Sequence, residues 1–197
     1  MPVRTLRIWP DECLKSAAQS FDFSIDSLEI VKDLIDTMIA NFGAGIAAPQ
    51  VGISQQIIVI DCSSLRVANP VPNLDDGKDF LIMINPEILE LDLKTHDWAE
   101  GCLSVPGYSG VVRRSRTCRV SFSDQAQKQH VVQFAWPLAG VVQHEIDHLL
   151  GVTYIEKMIN KRRAGRIRFD LYSRKFPTKS SLKRAKKRNR LLKNTEG

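Results

Sequence analysis

Residues 137–151 read PLAGVVQHEIDHLLG, and they limit the fold more than any other stretch of the chain. Pro137 suits the first turn of a helix, and Gly151 suits the turn that ends one. Between them Leu138, Val141, Val142 and Leu149 supply the apolar side chains to bury that helix. The same helix carries His144, Glu145 and His148. Histidines four residues apart lie about one turn apart and project from the same side. Their HExxH spacing suits a pair of metal ligands, with Glu145 as a general base beside the first. Two histidines leave a site incomplete, so a third ligand must come from elsewhere.

The remaining elements read as mixed helix and strand. In residues 26–42, Leu28, Val31, Ile35, Met38 and Phe42 follow 3-4-3-4 spacing and describe one helical face. Asp26 suits its N-cap, with Glu29 three residues on and Gly43 as its stop. Residues 55–61, 80–85, 110–122 and 129–136 are rich in Val, Ile and Phe and read as strands. The Pro/Asn/Asp/Gly-rich stretch between the first two reads as a long surface loop over 62–79. A further helix is expected over about 160–175, ended by Pro177.

Composition bounds the class. The 197 residues and 43% apolar content suit one soluble domain with a sizeable core. No run approaches the roughly 20 apolar residues of a membrane span, and the start has no secretory apolar core, so no membrane and a cytoplasmic location are expected. The four cysteines are too scattered for a disulfide framework, which fits a reducing compartment. Charge is split: 16 of the 28 Lys and Arg fall in residues 157–197 against only Asp170 and Glu196. That end carries +14 and residues 1–156 carry −8. The basic end is either a solvated helix and tail or an electrostatic footprint for nucleic acid. The domain division expected is 1–176 for the folded unit and 177–197 for the basic tail.

Three sources compete for the third ligand. A zinc-protease pattern HExxHxxGxxH is followed as far as Gly151 but puts Tyr154 where a histidine belongs, and a phenol with a pKa near 10 is a poor ligand at neutral pH. A later glutamate is the second source, but beyond Glu156 only Asp170 and Glu196 remain. The third is Cys102, in the stretch WAEGCLSVPGYSG over 98–110. Alone, Cys102 reads as a small buried filler. Beside two imidazoles its thiolate completes a Cys-His-His set with one tetrahedral position open, the mark of a catalytic site. A third stretch, GAGIAAPQVG over 43–52, has little side-chain bulk and lets a substrate backbone lie close, with Gly43, Gly45 and Ile46 as candidate contacts and Gln50 as an amide donor.

Together these stretches resemble the peptide deformylase family. Its motifs GxGxAAxQ, EGCLS and HExDH stand unbroken as Gly43 to Gln50, Glu100 to Ser104 and His144 to His148, in the family's order. The resemblance runs from about residue 6 to about 174. It implies an α+β fold in which antiparallel strands surround a central helix carrying the metal ligands. It also implies removal of the N-formyl group from the initiator methionine of nascent polypeptides, releasing formate. The implied metal is Fe(II), one per chain, with zinc, nickel or cobalt as replacements, held by Cys102, His144 and His148.

Formamide hydrolysis needs a nucleophile, an oxyanion site and a proton for the leaving amine. A metal supplies the first by lowering the pKa of water from 15.7 toward ~7. Glu145 would take that proton and pass it to the nitrogen. The Gln50 side chain and the Leu103 N–H would meet the oxyanion. By resemblance Glu100 orients the site, while Asp147 is expected to hold a histidine N–H and fix its tautomer. Trp98 stands where the family usually has an apolar residue lining the methionine pocket, so it either narrows that pocket or packs in the core. The substrate emerges from a ribosome, which makes RNA a candidate partner for the basic tail. A metalloprotease on the same helix and a non-catalytic RNA-binding protein are the competing readings. Formate release from a formyl-Met peptide separates them.

Overall fold

The structure, a computed structural model, describes residues 3–67 and 80–159. The helix expected over about 160–175, the tail and its boundary at 176, and most of the 62–79 loop fall outside the described residues.

Among the described residues, seven strands form two antiparallel sheets. β1 (Gly45–Ala47), β2 (Ile57–Asp61), β3 (Phe80–Leu91), β6 (Thr117–Ser123) and β7 (Gln129–Ala135) make a five-stranded sheet in the order β1-β2-β3-β6-β7. β4 (Thr95–Gly101) and β5 (Ser109–Ser115) pair as a separate hairpin. The α-helices among the described residues are α1 (Leu28–Ala40), α2 (Leu138–Leu149) and the short α3 (Tyr154–Lys157).

Alternation along β2 explains why its sequence is apolar throughout. Ile58 and Ile60 join Leu81, Met83, Val120 and Phe122 in a core completed by Leu138, Val142, Ile146 and Leu149 of α2. Ile57 and Val59 face the other way, onto Val31, Leu34 and Met38 of α1. A strand covered on both faces has no polar side to show. All twelve residues of α2 are buried, and it packs against β1, β2, β5, β6 and β7. Its end is a Schellman turn. Gly151, at φ +72, donates to the His148 carbonyl and Val152 donates to that of Asp147.

Three expected elements differ in detail. The buried positions of α1 are Val31, Asp33, Leu34, Thr37 and Met38, whereas Leu28 and Phe42 are exposed. Asp33 is buried because it pairs with Arg4, and Thr37 Oγ1 accepts the Arg4 N–H, so an N-terminal segment covers polar positions of the helix. The helix stop is Phe42 at φ +57 rather than Gly43. The single strand expected over 110–122 is β5 and β6, broken at Arg116, where the chain passes from the hairpin to the large sheet. The Gln143 side chain binds both Ser115 N–H and Ser115 C=O at that break. β3 continues through Pro86 because its pairing with β6 shifts register between Ile84 and Glu87. A proline is tolerated at such an irregularity.

Candidate metal centre

α2 presents His144 and His148 toward the loop after β4, which carries Cys102. The ligand atoms of Cys102, His144 and His148 all lie within 4.8 Å of one another. Cys102 Sγ is 3.2 Å from His148 Nε2. His144 Nδ1 donates to Glu100 Oε2 at 2.8 Å, which turns its Nε2 to the same centre. Neither Tyr154 nor a later acid is needed. Tyr154 is buried and stacks on the His144 ring, with centroids 6.3 Å apart.

The electrostatics fit a cation. Burial works against charge on Glu100, but hydrogen bonds from Arg114 and His144 outweigh it and hold the carboxyl well below the usual carboxylate range. Burial likewise opposes a proton on His144, yet Cys102 and Glu100 raise its pKa well above that of free imidazole. The cluster thus favours a positive charge among its donors. Burial, with His144 beside it, holds His148 well below its ordinary value and so neutral, the form that ligates metal. A thiolate and two imidazoles suit zinc or iron by softness.

Glu145 is 3% exposed, and burial pushes its carboxyl up to about 7. A Cβ on Gly45 would lie 2.5 Å from Glu145 Oε1, so this glycine is what lets β1 approach the acid. A Cβ on Gly43 would meet Leu103 at 2.8 Å. Ile46 points into the core under α1, which leaves only its backbone for any ligand. Gln50 is 1% exposed, and its Oε1 accepts the Ala47 N–H at 2.8 Å. That contact settles the amide's orientation, and Nε2 then reaches Cys102 Sγ at 3.4 Å and Ser104 Oγ at 3.2 Å.

Asp147 corrects one expectation. It binds Arg114 Nη1, and its other oxygen accepts from Lys157 Nζ at 2.5 Å, so it serves no histidine. His148 Nδ1 has no hydrogen-bond partner among the described residues. The intervening cation is Arg114, which the sequence reading missed. It is 3% exposed and donates to Glu100 through Nε at 2.7 Å and Nη2 at 2.9 Å. Its signal was the alternation of β5, where Gly110, Val112 and Arg114 share the buried face. A charged side chain at an inward strand position needs a buried partner. Trp98 donates its indole N–H to Glu100 Oε1 at 2.8 Å and packs edge-on against Trp136.

A Cys-His-His set with a buried, proton-accepting acid on the same helix defines a metal-dependent hydrolase. The model of the polypeptide deformylase family matches residues 3–164. The chain is 36% identical to the peptide deformylase of Bartonella tribocorum over 191 residues, 96% of this chain and 97% of that one. It is also 36% identical to that of Lachnoclostridium phytofermentans over 160 residues, covering 80% and 90%. Among solved structures, the Synechococcus elongatus peptide deformylase in complex with actinonin matches with TM-score 0.71 and 31% identity over 83% of each chain. The Thermotoga maritima peptide deformylase matches with TM-score 0.70 and 32% identity over 81% of this chain and 100% of that one.

The chain belongs to the polypeptide deformylase family, metal-dependent hydrolases that remove the N-formyl group from nascent polypeptides. Among the described residues no helix is long and apolar enough to cross a membrane.

Proposed function

We propose that Cys102, His144 and His148 hold one Fe(II), with zinc, nickel or cobalt able to replace it, and that Glu145 is the general base and then acid of deformylation. The observation that carries this reading is the convergence of three donor atoms within 4.8 Å beside a carboxyl near neutrality. When bound, the metal supplies Lewis acidity that brings the pKa of water toward ~7. Glu145 accepts a proton from that water and delivers it to the departing amine. A carboxyl near 7 does both at neutral pH with little driving force wasted in either direction. Gln50 Nε2 and the Leu103 N–H receive the developing oxyanion, and such a donor is typically worth ~3–4 kcal/mol. Glu100 holds the His144 tautomer from behind.

The substrate backbone runs along β1. This strand is the edge of the five-stranded sheet, and Gly43 and Gly45 keep it free of side-chain bulk. Residues 1–176 form the catalytic unit, which acts in the cytoplasm on formyl-Met chains at the ribosome, and the basic tail of 177–197 is its RNA contact.

Anaerobic loading with Fe(II), followed by formate release from a formyl-Met-Ala dipeptide, tests the reaction. Turnover with one metal per chain is expected. A loaded protein that cleaves internal peptide bonds instead of the formamide would replace this reading. Thiolate-bound Fe(II) is open to oxidation, so the iron form should lose activity in air while a nickel form persists; equal lifetimes would argue against iron.

A further inference from the structure

Glu100 is the residue on which the ligand His144 leans, and its carboxylate is saturated. Oε2 accepts from His144 Nδ1 at 2.8 Å and Arg114 Nη2 at 2.9 Å. Oε1 accepts from Arg114 Nε at 2.7 Å and Trp98 Nε1 at 2.8 Å. Three of these four donors come from groups that can carry charge. The fourth is a neutral indole, and it comes from the position where the sequence suggested a pocket wall.

The indole is wedged. Trp98 and Glu100 lie two apart on β4 and therefore on one face of it. The Trp98 ring meets Trp136 edge-on, with centroids 4.5 Å apart and planes at 77°. Its other neighbour is Gly140 of α2, where a Cβ would stand 3.0 Å from Trp98 Cζ2 and 2.8 Å from Trp136 Cζ3. Gly140 is one helical turn ahead of His144. The ring thus rests on the helix that carries the ligand, and its N–H grips the carboxylate that orients the ligand.

Arg114 cannot do this alone. Its guanidinium also serves Asp147, which in turn binds Lys157, so its place is set by a second acid on α2. A carboxylate held only by that fork follows the guanidinium. An indole set edge-on to Trp136 and close against Gly140 gives it an independent anchor, since a bulky ring with two torsions has few placements between such neighbours.

We propose that Trp98 is a positioning residue for the metal centre: its indole N–H, seated on Gly140, locks Glu100 onto His144 and so slows metal release. The inference rests on the Cys102-His144-His148 metal reading above. Its closest rival is that Trp98 only packs, and the two separate because packing survives loss of the N–H.

The test uses the full chain loaded with Co(II) under anaerobic conditions. Trp98→Phe keeps an aromatic ring and removes the donor. Should that variant fold poorly, site-specific benzothienylalanine at position 98 keeps the bicyclic shape and puts sulfur in place of N–H. Release to excess chelator and the visible ligand-field and thiolate charge-transfer bands of cobalt are read, with the unfolding temperature of the metal-free protein beside them. Loss of an outer partner typically costs 10–100-fold in metal affinity, and Glu100 keeps three donors, so release about tenfold faster is expected, with shifted bands. The isostere should behave like Phe, with the metal-free unfolding temperature nearly that of the wild type. Wild-type release rate and spectrum in the isostere would overturn the proposal, whatever the unfolding temperature does. Failure of the unsubstituted chain to bind cobalt through sulfur would instead overturn the underlying metal reading.

Discussion

Glu145 Oε2 has no hydrogen-bond partner among the described residues, and a Cβ on Gly45 would press on Oε1. A buried acid left with an unmatched oxygen is costly, which is why its carboxyl stays protonated up to about 7. The arrangement makes sense for a group that must gain and lose a proton. Glu145→Gln should therefore keep its metal and lose turnover by 10²–10⁴-fold, the usual worth of a general base. Elemental analysis beside formate release checks this, and full activity would sink the role given to Glu145. Gly45→Ala should act on the same oxygen from the other side. The added methyl forces β1 or the acid to shift, so kcat should fall with metal content unchanged. Cys102→Ala should lose metal and activity together. Cys13→Ala and Cys118→Ala should keep both, because neither thiol belongs to the cluster of donors that Cys102 forms with His144 and His148. A Cys102→Ala protein with one metal and normal turnover would send the search for the third ligand elsewhere.

At the scale of elements, α2 is the part that the sequence made plainest, and Gly140 is its sharpest test. Replacing a helix-interior glycine by alanine ordinarily gains 0.5–1 kcal/mol. Here the methyl would stand 2.8 Å and 3.0 Å from two packed tryptophan rings, and overpacking typically costs 1–3 kcal/mol. The second effect is larger, so Gly140→Ala should destabilise by about 1–2 kcal/mol in urea unfolding; a gain in stability would mean the rings can move aside. The bounds of α2, its caps and its ligands were legible because periodicity, Pro137, Gly151 and HExxH all agree. The strand β4 was not, since it is exposed along most of its length and reads THDWAEG, with no apolar alternation to mark it. For α1 the existence was legible but the face was off by part of a turn. Arg4 reaches Asp33 from 29 residues away, and no local pattern announces that a helix will bury an acid. Arg114 hid for the same reason. Its partners Glu100 and Asp147 lie 14 and 33 residues away and become neighbours only through the β4–β5 pairing and the packing of α2.

At the scale of the whole molecule the charge division is the largest feature the site chemistry leaves unexplained. Residues 1–156 carry −8 and residues 157–197 carry +14. An acidic catalytic body is repelled by RNA phosphate, so any affinity for a ribosome must come from the basic end. Each Lys or Arg that meets a phosphate releases condensed counterions, which ties affinity to salt. With six to ten such contacts, binding should weaken by roughly 10³–10⁵-fold between 50 and 200 mM salt. Truncation after Phe176 removes eight lysines and arginines near the end of the chain, among them Lys183, Arg184, Lys186, Lys187 and Arg188, and leaves every proposed ligand in place. The shortened protein should pellet weakly with ribosomes at low salt, where the full chain pellets well, and should turn over a free formyl-Met dipeptide at nearly the full-length rate. Turnover on ribosome-bound formylated chains should fall with the pelleting, because a tail that binds RNA would act by raising local concentration rather than by touching the formamide. Equal pelleting of both proteins across the salt series would show that the tail is merely solvated and that the charge division serves something other than RNA.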